Sequence, residues 1–282
     1  MLKEMTVNAI LDYIEKNIEV TLIDINSLVV YSGYSRRYLQ QLFRQYVGIP
    51  VGKYIQRRRV TRAAVFLQLT SLSIISISER LCYDSQQTFT REFKKNTGFT
   101  PLQYRKNKVW TFRNQTGHRY LNSLFPVPEI RYLECLEIYG ISVNYGEVIP
   151  FTGINSQQKW NAVRSFFTRN EGPLFISNNV KAGKINKNIF SIQSIICINS
   201  GSSKVRCSVK KGCYAYFTYN GKFKDYTFYI NNIYMNVLPY YGLQRKNMND
   251  LEIISKKING DFYFEYYLPV YDEDNDMVFN SH

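Results

Sequence analysis

Arg37, Gln40, Gln41 and Arg44 stand at i, i+3, i+4 and i+7, the spacing that brings side chains onto one face of a helix. Arg pairs bidentately with guanine, and Gln with adenine, in the major groove, so this row has the chemistry for reading base edges. Arg36 adds another long cationic side chain at the start of the segment. An ordinary solvated helix face carries the same residue types, and one row alone does not separate the two readings. A second row does. Sliding the chain against itself by fifty positions puts Gln86 and Gln87 on Arg36 and Arg37, Thr90 and Arg91 on Gln40 and Gln41, and Lys94 on Arg44. The frame around the rows repeats too. Ser35 falls on Ser85, Leu39 on Phe89, Phe43 on Phe93, Gly48 on Gly98 and Tyr54 on Tyr104, so cap, core and helix stop recur together.

The elements that must hold these rows are helical. Val7, Ile10, Leu11, Ile14 and Ile18 recur at helical spacing after Thr6, a candidate cap. Ile25, Leu28 and Val29 form a second, short helix, Gly33 supplies a turn, and Ser35 caps the helix whose stripe is Leu39, Leu42, Phe43 and Tyr46. Helix, tight turn, helix is the outline of a DNA-reading unit. Between the two copies, residues 51–69 form a basic helical stretch with Arg57, Arg58, Arg59 and Arg62. It fixes one spacing between the units and offers cations for phosphate contacts.

Charge supports the same partner. The chain of 282 residues carries a formal +14 at pH 7, which favours a polyanion through counterion release. Residues 1–110 hold 17 Lys and Arg against 8 Asp and Glu, net +9, and the remainder holds 19 against 14, net +5. The N-terminal third is the expected nucleic-acid contact. The length allows two domains, each with its own core. Five cysteines without a paired spacing imply buried free thiols, with no zinc site, no other metal and no cofactor. The first residues include Lys3 and Glu4 and lack the apolar core of a signal peptide, and no run reaches the ~20 apolar residues of a membrane helix. A cytoplasmic location without membrane contact is the expectation.

Past residue 110 the texture changes to short β-rich runs dense in Tyr, Phe and Ile. Strands are predicted over 130–144, 174–180, 189–198, 204–209, 214–219 and 262–271, with helices over 155–169 and 223–238. The predicted architecture is an all-α domain over 1–110 with two helix-turn-helix units joined by a long helix, a linker over 111–125, and an α+β domain over 126–282. In the last strand, alternation places Tyr263, Glu265 and Tyr267 on one face. A carboxylate between aromatic rings can hold an organic cation, although an exposed polar strand position reads the same way. Trp160 is either a further wall of such a pocket or a core residue of its helix.

From 10 to 104 the sequence resembles the AraC/XylS family of transcription regulators, in particular its MarA-like branch. SGYSRRYLQQLFR, GKYIQRRR and DSQQTFTREFKKNTGFTPLQYR carry the likeness. The resemblance implies two readers set in successive major-groove segments on one face of double-stranded DNA. One chain would occupy an asymmetric promoter site, probing sequence with Arg37, Gln40 and Gln41 in the first unit and Gln86, Gln87 and Arg91 in the second. That branch has Trp at the position of Arg37 and Arg at that of Gln41, so the docking mode carries over while the base sequence read does not. The second half resembles GyrI-like effector-binding modules through GCYAYFTYNG, the 223–238 helix and DFYFEYYLPVYD. This resemblance implies a small amphipathic or cationic ligand at Glu265, and the regulator class implies RNA polymerase as a partner of an activator.

An enzyme is not expected. The two histidines, His118 and His282, lie near the boundary and at the last position, which leaves the second domain no histidine-based acid–base pair. No P-loop or dinucleotide fingerprint occurs. A glutamate–tyrosine hydrolase site and a protein-docking role for the tyrosine-rich second domain stay open.

Overall fold

The structure is a computed structural model that describes residues 2–106, 116–117, 126–148, 157–182, 189–197, 205–257 and 260–271. Most of the expected linker, both histidines and the acidic run at 272–276 lie outside the described residues.

The N-terminal part is helical. Helix α1 (Leu2–Asn17) buries Val7, Ile10, Leu11 and Ile14, the stripe legible in the sequence. Thr6 is not its cap: its hydroxyl donates to Leu2 O one turn back, inside the helix. Helices α2 (Ile25–Ser32) and α3 (Arg36–Val47) follow, then the 19-residue α4 (Val51–Leu69). Helices α5 (Ile74–Arg80), α6 (Gln86–Thr97) and α7 (Pro101–Lys106) complete the part.

The C-terminal part is one antiparallel eight-stranded sheet with helices against one face. Its strands are β1 (Glu129–Leu133), β2 (Leu136–Val148), β3 (Leu174–Ala182), β4 (Ile189–Cys197), β5 (Val205–Val209), β6 (Gly212–Gly221), β7 (Asp250–Lys256) and β8 (Phe262–Pro269), in the order β1-β6-β8-β7-β3-β4-β2-β5. Helix α8 (Gln157–Phe167) and helix α9 (Phe223–Asn232) cover that face. A π-helical segment, Ile233–Val237, continues α9 into the short α10 (Leu238–Tyr241). Two expectations about strands need correction. The run at 130–144 is two strands, not one: it breaks at Glu134 and Cys135, and β1 pairs with β6 while β2 pairs with β4 and β5. Strand β7 went unpredicted, because its buried Asp250 and Glu252 give it the polarity of a loop.

The core is divided differently from the chain. The first reader has its own cluster, in which Leu39 and Phe43 pack with Ile10, Ile14 and Tyr54. The second half of α4 and the second reader share a continuous apolar cluster with the helix-covered face of the sheet, from Val60 and Phe93 through Val163 and Ile176 to Leu268. Two domains with two separate cores were expected. Ala63, Ala64, Val65 and Phe66, four consecutive residues that bury a whole turn of α4, are what merges them. Ile138, Ile195, Tyr214, Tyr216, Leu251 and Tyr267 form a third cluster on the other face of the sheet.

Candidate nucleic-acid interface and ligand cavity

The two readers are built alike. Ser35 Oγ accepts from Tyr38 N–H and Ser85 Oγ from Thr88 N–H, capping α3 and α6 at their N-termini. Both helices are 12 residues long, and each ends on a glycine in the left-handed region whose N–H bonds back into the last turn, Gly48 to Arg44 O and Gly98 to Lys94 O. Leu39, Leu42 and Phe43 anchor one helix, and Phe89 and Phe93 the other. Opposite these anchors, Arg36, Arg37, Gln40, Gln41 and Arg44 are exposed on α3. On α6, Gln86, Gln87, Arg91 and Lys94 are exposed and Thr90 is half-buried. The exposed polar ends spend no hydrogen bond on the described residues, which leaves their donors and acceptors for a partner.

The entrance of each reader is held as firmly. Asp24 accepts from Ser27 N–H at 2.8 Å and caps α2. That backbone hydrogen bond holds the Asp24 carboxyl below its ordinary pKa. Ser73 caps α5 in the same fashion through Ser76 N–H.

The arginines of α4 divide into two pairs. Arg58 is 1 % exposed: Nε and Nη2 grip both oxygens of Glu15 on α1, at 2.6 and 2.8 Å, and Nη1 donates to Thr116 O at 2.6 Å. Arg62 joins Glu15 and Glu19, and Arg80 also pairs with Glu19. Of the four cations offered for phosphate contacts, Arg58 and Arg62 are thereby withdrawn, because their charges are spent on Glu15 and Glu19. Arg57 and Arg59 remain half-exposed. Arg59 lies 5.8 Å from the centre of the Tyr83 ring and lines a cleft between the readers with Gln40 and Glu92. No single residue type separated the two pairs in the sequence. The usable signal was Glu15 on the stripe side of α1 and Glu19 just past its end.

The chain segment between the two parts touches both of them. Gly117 lies so close to the π segment that a Cβ would stand 2.4 Å from Asn236 O. The Asn236 side chain accepts from Arg58 Nη2 at 3.3 Å.

In the C-terminal part the residues expected to share a pocket separate onto opposite faces. Tyr263, Glu265 and Tyr267 do lie together: Tyr216 donates to Glu265 at 2.9 Å, Tyr267 donates to it at 3.4 Å, and the hydroxyls of Tyr216 and Tyr263 are 3.5 Å apart. The Arg131 guanidinium, bonded to Glu129, sits 3.3 Å from the centre of the Tyr216 ring. Trp160 is not a wall of this group. It is on α8, stacked on Phe223, against the face that carries Phe264 and Tyr266, and strand alternation puts Glu265 on the reverse side.

Trp160 lines a different space. A half-open cavity between α8, α9, the π segment and the sheet is walled by Tyr145, Trp160, Tyr226, Tyr234 and Tyr266. Lys159 and Glu252 face each other in it, both 3 % exposed, with Lys159 Nζ 2.9 and 2.7 Å from the two carboxylate oxygens. Burial alone would drive the ammonium towards neutrality, but Glu252 and Tyr145 outweigh it and raise the Lys159 pKa. Tyr234 and Tyr266 turn their hydroxyls away to Asp250, which Arg245 also holds. Tyr226 has a buried hydroxyl with no partner among the described residues, and burial pushes its pKa well up, so it stays a donor. Among the described residues no His, Cys, Asp and Glu cluster is arranged to hold a metal, and no helix is long and apolar enough to cross a membrane.

Comparison with known proteins agrees with the readers. Residues 28–107 match a family model described as a helix-turn-helix domain. The F1 operon positive regulatory protein of Yersinia pestis is 41% identical over 274 residues, 97% of this chain and 91% of that one. The transcriptional regulator Rob of Salmonella typhimurium is 26% identical over 82% of this chain and 83% of its own. Among solved structures, the C-terminal domain of AraT, a response regulator from Geobacillus stearothermophilus, is 33% identical over 36% of this chain and 84% of that one, with a TM-score of 0.35. With two capped readers in its first third and a named operon regulator matching it almost end to end, the chain belongs to the AraC family of helix-turn-helix transcription regulators.

Proposed function

We propose that one chain binds an asymmetric promoter site through α3 and α6 and activates transcription by recruiting RNA polymerase, under the control of a GyrI-like sensor domain. The observation that carries the DNA half is the pair of matched polar rows, each opposite a buried stripe and each without a side-chain hydrogen bond to the described residues. Arg37, Gln40 and Gln41 would read one major-groove segment, and Gln86, Gln87 and Arg91 the next, with Arg36, Arg44, Thr90 and Lys94 bordering them. Arg57 and Arg59 would contact the backbone between the segments. The positive role is supported by the name of the Yersinia pestis relative. Mapping bound sites across the genome, then measuring transcription from them with and without the chain, tests this half. Repression, or sites with two-fold symmetry, would count against it.

The sensor half rests on the half-open aromatic cavity, whose mostly apolar, tyrosine-rich walls suit a small amphipathic molecule. The group of Glu265, Tyr263 and Tyr267 is the alternative seat for a ligand, with its carboxylate among three tyrosines. A cation arriving there meets Arg131 already over Tyr216. Filling the cavity by Thr227→Trp, at a residue of α9 that lines it, and neutralising the other group by Glu265→Gln separates the two: the true seat is the one whose change alters transcription while DNA binding by the N-terminal part is unchanged.

A further inference from the structure

Lys159 is a buried ammonium inside a space that also holds a carboxylate and aromatic rings. Its Nζ spans both oxygens of Glu252 and lies 4.8 Å from the centre of the Trp160 ring. A carboxylate backed by aromatic faces is the chemistry that holds an organic cation. Here that position is filled by a side chain of the same protein. Desolvating two charges is costly, and the pair endures because each compensates the other. A free organic cation would have to displace Lys159 and leave a second positive charge stranded next to it. The other ionisable group of the wall, Glu147, has partners of its own. What the cavity still offers is the unpartnered donor of Tyr226 and the faces of Tyr145, Trp160 and Tyr234.

We propose that Lys159 is the resident cation of this cavity, so that the molecule it admits is uncharged and aromatic or amphipathic, with a hydrogen-bond acceptor for the Tyr226 hydroxyl. This rests on the cavity being the sensor's ligand site, and it deepens that reading by naming the ligand class. It narrows the amphipathic or cationic ligand that the resemblance implies, and seats it away from Glu265.

The test supplies the missing side chain in trans. Thermal unfolding of the full chain is followed with n-butylammonium and with 1-butanol, for the wild type, Lys159→Ala and Lys159→Arg. The expected result is that n-butylammonium binds Lys159→Ala at least about tenfold more tightly than it binds the wild type. It should also raise the unfolding midpoint of Lys159→Ala beyond the effect of 1-butanol. Lys159→Arg should behave as the wild type does. Adding Glu252→Gln to Lys159→Ala should abolish the preference. Should Lys159→Ala not fold alone, its refolding yield with n-butylammonium against 1-butanol is the readout. Equal binding of n-butylammonium to wild type and variant overturns the proposal, and so does a wild-type response that disappears with Glu147→Gln. A variant that shows no preference for the ammonium overturns it as well. None of these results touches the sensor reading, which stands or falls on transcription in Thr227→Trp.

Discussion

Gly48 and Gly98, fifty positions apart, end the two reader helices with the same backbone angles, φ 83° and ψ −11°. A Cβ built on either would meet nothing within 4 Å, so glycine is required there by backbone conformation alone and not by space. Gly48→Ala and Gly98→Ala should each lower stability by about 1–2 kcal/mol, the cost of a left-handed residue with a side chain. Asn at either position should cost less. Urea unfolding of the four variants checks this, and an Ala variant as stable as wild type would place the helix stop elsewhere.

Both readers should contribute to DNA affinity. Gln40→Ala and Arg91→Ala remove exposed groups with no hydrogen-bond partner among the described residues, so each should leave stability within about 0.5 kcal/mol of wild type. Each should weaken specific binding by roughly 1–3 kcal/mol. Gel-shift titrations on a mapped site measure the loss. If only Gln40→Ala has an effect, α6 serves as scaffold.

The readers were legible in the sequence because their signals are local. Ser35 and Ser85, the stripes at Leu39 and Phe89, and Gly48 and Gly98 all act within one helix, and the repeat doubled the evidence for each. What was hidden depends on partners far along the chain. Arg58 looks like a phosphate contact until Glu15 and Thr116 are placed around it. Strand β7 looks like a loop until Arg245, Tyr234 and Tyr266 surround Asp250 and Lys159 meets Glu252. Trp160 and Glu265 looked like neighbours because nothing in the spacing says which face of the sheet a distant helix covers.

The two kinds of arginine on α4 should behave differently. Arg58→Met leaves Glu15 with less compensation and breaks contacts to three elements, so it should destabilise the chain by about 3 kcal/mol. Where Arg58→Met still folds, the slope of log affinity against log salt should be unchanged. Arg59→Gln should spare stability and reduce that slope by about one unit for every DNA sequence alike. A reduced slope in Arg58→Met with normal stability would return that residue to the DNA surface.

The two faces of the C-terminal sheet should separate in function. Thr227 lines the aromatic cavity, and Thr227→Trp should change transcription by about tenfold in either direction, which is ~1.4 kcal/mol of coupling. Glu265→Gln keeps its hydrogen bonds from Tyr216 and Tyr267 in neutral form and should change transcription by less than about twofold. A reporter gene behind a mapped promoter gives both values. The reverse order would move the ligand to the Glu265 group.

The most direct measurement of the two-reader account is a footprint of the full chain on a mapped promoter together with the stoichiometry of the complex by analytical ultracentrifugation. The account predicts one chain per site, with two protected major-groove segments on one face of the duplex about 34 Å apart, and with Arg91→Ala erasing only the segment under α6. Two chains on a palindromic site, or a single protected segment that Arg91→Ala leaves intact, would contradict it.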